Sequence, residues 1–310
     1  MMNNNSILDD FKNAWNRPNN AVVQIILINV IVFLVLIFLK VILVLSGGEG
    51  IYRAILTKLM LPADTGTFLL QPWSLITYFF THEGLFHILF NMLFLYWFGK
   101  LIAEFLGSNK VISLYVLGGI TGGLFYILVY NLVPFYHDQV SASLMLGASA
   151  GVYAVVVGAA TFMPNYTFFL LLLGPVRIKY IALFYIVLSF ANTIGSNAGG
   201  ELAHLAGAAM GFIYIKQLQS GTDLGGWVIS SMNFIKSFFV SQPKIKVTHR
   251  NTKQSKQSSS KRTVNVTGSS TKSSDADQAE IDAILDKISH SGYDSLTKEE
   301  KQKLFNASKN

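Results

Sequence analysis

Apolar residues gather into long, almost unbroken stretches over the first two thirds of the chain, and the polar positions between them mark the element boundaries. A helix needs about 20 mostly apolar residues, with about 17 as a lower limit, to cross a hydrocarbon layer roughly 30 Å thick. Six stretches meet that length: residues 21–45, 85–106, 111–133, 147–163, 177–193 and 201–218. Pro164 and Asn165 stop the fourth, and a Gly/Ser/Asn-rich loop at 195–200 precedes the sixth. Residues 167–173 are apolar but too few to cross before Gly174-Pro175 breaks them off, which predicts an interfacial or tucked-in piece. The first stretch is too long, and lacks the small-residue cleavage site, to be a removable signal peptide. The pattern therefore predicts an all-α polytopic membrane protein with six transmembrane helices.

The remainder reads differently. Residues 241–275 are Ser, Lys, Thr and Gln with few large apolar groups, a composition that cannot bury enough surface to offset its ordering entropy. Beyond them Ile281, Ile284, Leu285 and Ile288 recur at helical spacing, and Thr297 with Glu300 offers a capping box for a second short helix carrying Leu304 and Phe305. The predicted organisation is a cytoplasmic segment at 1–20, a six-helix membrane domain at 21–220, a disordered basic linker at 221–275 and a small helical hairpin at 276–310.

Charge follows the same division: residues 1–220 carry 18 charged side chains and the last 90 carry 23. Under the positive-inside rule the short loops place seven basic residues on the side of the N-terminus and three on the other, so both termini are expected in the cytoplasm. The net charge of +7 sits beside apolar segments without a base-reading motif, which points to an anionic membrane surface rather than nucleic acid. With no Cys among 310 residues, disulfides, thiolate metal sites and cysteine nucleophiles are excluded.

Polar side chains inside spans are costly and mark function by default. In the predicted topology the second, fourth and sixth helices enter from the outer face. His87 and Asn91, Ser149, and His204 then lie in their first turns, roughly 5 to 10 Å below the outer surface at 1.5 Å rise per residue. A serine with a nearby neutral imidazole is the minimum for nucleophilic catalysis, and His204 is the better candidate base. Ala203, Gly207 and Gly211 in the sixth helix, and Ala150, Ala154 and Gly158 in the fourth, form four-residue stripes of small side chains that let two membrane helices approach closely. His87 and Asn91, at i and i+4, are candidate donors for an oxyanion. Glu201, next to the mouth of the site, is placed to tune His204, but a solvated loop carboxylate is the favoured reading.

Three segments, His82-Glu-Gly-Leu-Phe-His87-Ile-Leu-Phe-Asn91-Met, Gly147-Ala-Ser149-Ala-Gly-Val-Tyr153 and Ala203-His204-Leu-Ala-Gly207-Ala-Ala-Met-Gly211, resemble the signature regions of rhomboid intramembrane serine proteases. The resemblance covers about residues 20–220. It implies a rhomboid-like bundle in which Ser149 is the nucleophile and His204 the base and acid, a dyad without a carboxylate third member. It also implies that His87 and Asn91 complete the oxyanion hole with the Ser149 amide, and that Tyr153 packs on the catalytic imidazole. No metal or other cofactor is implied, and the substrates would be single-span membrane proteins with helix-breaking residues near the cleavage point. Two positions depart from the family pattern, Ala150 where Gly is frequent and Trp73-Ser74 where Trp-Arg is frequent. The competing expectation is a catalytically silent rhomboid-like protein that binds membrane-protein clients. A small-solute transporter lacks the paired broken helices of inverted halves. The bacterial plasma membrane is the expected location, and the hairpin is expected to serve a cytoplasmic partner.

Overall fold

A computed structural model describes residue 15 and residues 20–170, 174–239, 274–291 and 295–307. Most of the predicted N-terminal segment, and the linker from 240 to 273, lie outside the described residues. The chain divides into two compact units, Met1–Pro243 and Lys244–Asn310.

The first unit is mostly helical. It contains α1 (Ala21–Leu45), α2 (Glu49–Leu59), α3 (Thr65–Leu70), α4 (Ser74–Thr77), α5 (Leu85–Leu106), α6 (Ser108–Leu132), α7 (Ser149–Phe162), α8 (Ile178–Ala191), α9 (Ala198–Gln219) and α10 (Gly226–Phe239). Three of these, α1, α5 and α6, are long and apolar enough by themselves to cross a membrane. Helices α7 and α8 are apolar but have 14 residues each. One side of α1 presents Leu34, Val35, Phe38 and Ile42 outward, while its Asn29 is fully buried and donates to Tyr115 Oη at 3.1 Å. Helix α5 is bounded by glycines. Gly107, at φ 89°, adopts a conformation that L side chains rarely take, which ends α5 and lets α6 begin at the next residue.

Two features correct the predicted organisation. Leu61–Pro62 (β1) pairs antiparallel with Leu144–Met145 (β2), and Thr167–Leu170 (β3) with Gly174–Arg177 (β4). The apolar piece at 167–173 thus supplies a strand whose partner begins at Gly174. The expected linker at 221–275 is also too long. Its residues 226–239 form α10, whose Val228 packs into the core while Trp227, Phe234 and Phe238 stay exposed. Gly, Ser and Asn dilute the apolar positions of this helix and mask it in the sequence.

The core forms where α6, α7 and α9 meet. A Cβ on Gly207 would overlap the Ala150 carbonyl oxygen, and one on Gly211 would overlap that of Ala154, so the two stripes mesh in parallel register with backbones in contact. From the third side, a Cβ on Gly122 would sit 2.6 Å from the Ala150 methyl. Helix α9 begins at Ala198 rather than near 201, because Gly199 lets its first turn lie against the Tyr126 ring, 2.6 Å from where a Cβ would be. At the far end of α9, Asp223 accepts from Lys110 Nζ, the Gly225 amide and Tyr214 Oη, tying α6 to the start of α10.

The second unit holds α11 (Ser274–Ser291) and α12 (Lys298–Ala307). The Thr297 amide donates to Glu300 Oε2 at 2.8 Å and the Glu300 amide to Thr297 Oγ1 at 3.3 Å, a reciprocal cap. Lys287 Nζ reaches Glu300 at 2.9 Å from α11. Chiefly through that ammonium, and through the Thr297 amide, the Glu300 carboxyl is held below the usual carboxylate range. A depressed folded-state pKa means that the cap is present at neutral pH and is lost as pH falls through the Glu300 pKa. Hydrogen exchange at 298–307, corrected for intrinsic rates, is therefore expected to accelerate in the parent once the pH falls below the usual carboxylate range. A Glu300→Gln variant should show a weakened cap already at neutral pH and little pH dependence from this source.

Candidate active site

Helix α7 starts at Ser149, and the two residues before it are held from outside. Gly147 has φ 123°, its amide donates to the Tyr78 carbonyl at 2.9 Å, and a Cβ there would lie 2.6 Å from the His87 ring carbon Cε1. The Ala148 amide donates to His82 Nε2 at 3.3 Å. Burial pushes the His82 imidazole down to about 3, with His87 nearby adding to the effect. His82 is therefore neutral, with the Nε2 lone pair available to that amide. The two imidazoles meet edge to face at 5.1 Å. Ser149 itself is half-buried.

His204, on α9, lies flat against Tyr153 of α7, with ring centroids 4.3 Å apart and 11° between planes. Its Nδ1 faces two oxygens, Glu201 Oε2 at 3.1 Å and Ser189 Oγ at 3.2 Å. Ser189 Oγ in turn meets Tyr153 Oη at 2.9 Å. Among the described residues, neither Ser149 Oγ nor His204 Nε2 makes a hydrogen bond, so the Ser–His bond expected of a dyad is not formed in this structure. Ser149 is nonetheless adjacent to Ala150, the residue whose carbonyl packs on Gly207 one turn after His204.

His87, Asn91 and Tyr153 line one cavity of about 450 Å³, walled by the aromatic side chains of Phe86, Phe90 and Tyr185. His87 also borders a second cavity of about 580 Å³ edged by polar groups, among them Glu83, Gln139, Ser143 and Asn197. It stands at the junction of an apolar and a polar space, and its side chain is exposed to them. Asn91 is buried and donates Nδ2 to the His87 carbonyl at 2.9 Å, the next turn of its own helix.

The sequence reading misses one residue here and misplaces another. Ser189 is 1% exposed, and nothing in the α8 pattern distinguishes it from a packing serine. Glu201 is not in a loop: it sits in the first turn of α9, three residues before His204, with a side chain 17% exposed. Placing the helix start at Ala198 would have revealed that i, i+3 pairing. The two departures from the family pattern also have structural settings. Ala150 is accommodated by Gly122, and Ser74 is fully buried with Oγ unpartnered among the described residues. Beside it, Trp73 Nε1 donates to the Lys58 carbonyl at 2.9 Å.

Comparison with known proteins identifies the family. Residues 69–220 match the Rhomboid domain, and residues 272–310 match a family of unknown function (DUF6576). The chain is 31% identical over 159 residues to RHOMBOID-like protein 12, mitochondrial, of Arabidopsis thaliana, covering 48% of this chain and 47% of that protein. It is 29% identical over 161 residues to Rhomboid-like protein 16, chloroplastic, of the same plant, covering 48% and 49%. It is 31% identical over 144 residues to the rhomboid protein YdcA of Bacillus subtilis (strain 168), covering 46% and 64%. The chain spans about half the length of the two plant relatives. With a Rhomboid domain over residues 69–220 and, among the described residues, three helices fit to cross a bilayer, the chain belongs to the rhomboid family of membrane proteins.

Proposed function

We propose that this protein is an intramembrane serine endopeptidase. The observation that carries the reading is the imidazole of His204, stacked on Tyr153 and anchored through Nδ1, on a helix in backbone contact with the one that begins at Ser149. In the proposed reaction Ser149 Oγ gives its proton to His204 Nε2 and bonds to the scissile carbonyl carbon. The C–N bond then breaks as the imidazolium returns that proton to the leaving amine, and water hydrolyses the acyl-enzyme with His204 again as base. His87, Asn91 and the Ser149 amide are the donors proposed for the oxyanion. Catalytic hydrogen bonds are often loose without substrate and tighten when it binds.

In this reading six helices, α1 and α5 to α9, span the membrane with both termini cytoplasmic, in a bacterial plasma membrane. The polar cavity beside His87 supplies water from the outer face, and the aromatic cavity between α5, α7 and α8 admits a single-span substrate from the lipid. The hairpin is proposed to dock a cytoplasmic partner. One observation favours a second reading, a catalytically silent client binder: Ser149 and His204 make no hydrogen bond to each other. A fluorophosphonate probe separates the two. Labelling that maps to Ser149 in folded protein, with cleavage of a single-span substrate in the same preparation, is the expected result; no labelling and no cleavage would favour the binder.

A further inference from the structure

Imidazole has two nitrogens, and a base that is to take a proton through one must carry its own proton on the other. In this protein one of the two, Nδ1, faces protein oxygens. His204 Nδ1 is 3.1 Å from Glu201 Oε2, both side chains are largely buried at 13% and 17% exposure, and the acidic residue lies one turn earlier on the same helix. An ionised carboxylate only accepts hydrogen bonds, so the group opposite it must donate. Ser189 Oγ, 3.2 Å from the same nitrogen, would by itself leave the choice open, since a hydroxyl both donates and accepts. Its contact with Tyr153 Oη instead holds the aromatic ring that fixes the plane of the imidazole.

We infer that Glu201 is a positioning residue for His204: its carboxylate holds the proton on Nδ1, keeps the Nε2 lone pair free for Ser149, and stabilises the imidazolium once formed. The site thereby works as a triad, where resemblance to the family implies a dyad with no carboxylate. The catalytic consequence rests on the protease reading above; the tautomer assignment does not. Ser189, 1% exposed, is too enclosed to meet a substrate carbonyl and is not itself a nucleophile.

The test uses the full chain in proteoliposomes, with Glu201→Ala, Glu201→Gln, Glu201→Asp and Ser189→Ala compared with the parent and Ser149→Ala. A charge-assisted hydrogen bond of this kind accounts for about 10- to 100-fold in rate. Glu201→Ala is expected to lower kcat by that factor with KM within about threefold. Glu201→Gln, which can still accept from Nδ1 through its amide oxygen, and Glu201→Asp should each recover part of the loss, while Ser189→Ala should cost less than Glu201→Ala. Independently of turnover, ¹⁵N-histidine spectra, with His204 assigned by a His204→Ala control, should show the Nδ1-protonated tautomer in the parent and its loss or mixing in Glu201→Ala. An Nε2-protonated parent, or a tautomer unchanged in Glu201→Ala, overturns the inference whether or not the protein is a protease. A kcat within threefold of the parent, or a loss that tracks thermal unfolding and is not relieved by Gln or Asp, overturns its catalytic part. A parent with no Ser149-dependent cleavage rejects the protease reading instead and leaves the spectra to decide the tautomer.

Discussion

Alanine at Ser149 or His204 is expected to abolish proteolysis while leaving the helical bundle folded. Members of a nucleophile and base unit act together, so removing either costs roughly what removing both does, on the order of 10⁴-fold or more in kcat. His87→Ala and Asn91→Ala each remove one of the proposed oxyanion donors and should cost less, about 10²- to 10³-fold. The ordering discriminates: the two dyad positions fall to background together, and the donors fall to a measurable residue above it. Neither dyad substitution should unfold the protein. Ser149 is only half-buried, and the stacking of the His204 ring on Tyr153 is worth about 0.5–1.5 kcal/mol. Measured kcat/KM on a single-span substrate, beside thermal unfolding in the same detergent, checks both halves. Cleavage by Ser149→Ala within tenfold of the parent would reject the nucleophile assignment.

The second large effect belongs to Gly207. A Cβ at this position would overlap the Ala150 carbonyl oxygen, a backbone atom that cannot rotate aside, and the next stripe position, Gly211, stands in the same relation to Ala154. Gly207→Val therefore has to separate α7 from α9, and overpacking of this kind costs about 1–3 kcal/mol in ordinary cores and more where backbone must move. The expected outcome is a clear drop in the unfolding midpoint together with loss of activity. Gly50→Val is a useful control, because nothing lies within 4 Å of a Cβ there. Equal stability of Gly207→Val and the parent would mean that the two backbones are not in contact.

The sequence exposes long periodic elements and conceals short ones. Helix α5 is legible residue for residue because glycine flanks both ends of an unbroken apolar run. Residues 46–84 give no such signal, yet they fold into α2, α3, α4 and β1. This segment is held by distant partners, such as the β2 strand against β1 and the Tyr115 hydroxyl, which accepts from Asn29 and donates to the Phe79 carbonyl. Helix α10 is hidden by dilution, as its apolar residues alternate with Ser and Asn. At the site, the pairing of small-residue stripes is readable from spacing alone, and the residues worth testing from spacing together with the family resemblance. The environment of His204 is not: Glu201 needs the true start of α9, and Ser189 needs the packing of α8 against α7 and α9, which no local pattern encodes.

The left-handed glycine two residues ahead of Ser149 has a consequence for engineering. Because Gly147 leaves no room for a side chain against the His87 imidazole, the loop and that ring form a seam that selection for new specificity cannot rebuild one residue at a time. Saturation libraries at 147 should come back almost wholly as glycine. Tolerant positions should instead cluster on the outward side of α8, where Leu183, Phe184 and Val187 are more than half exposed.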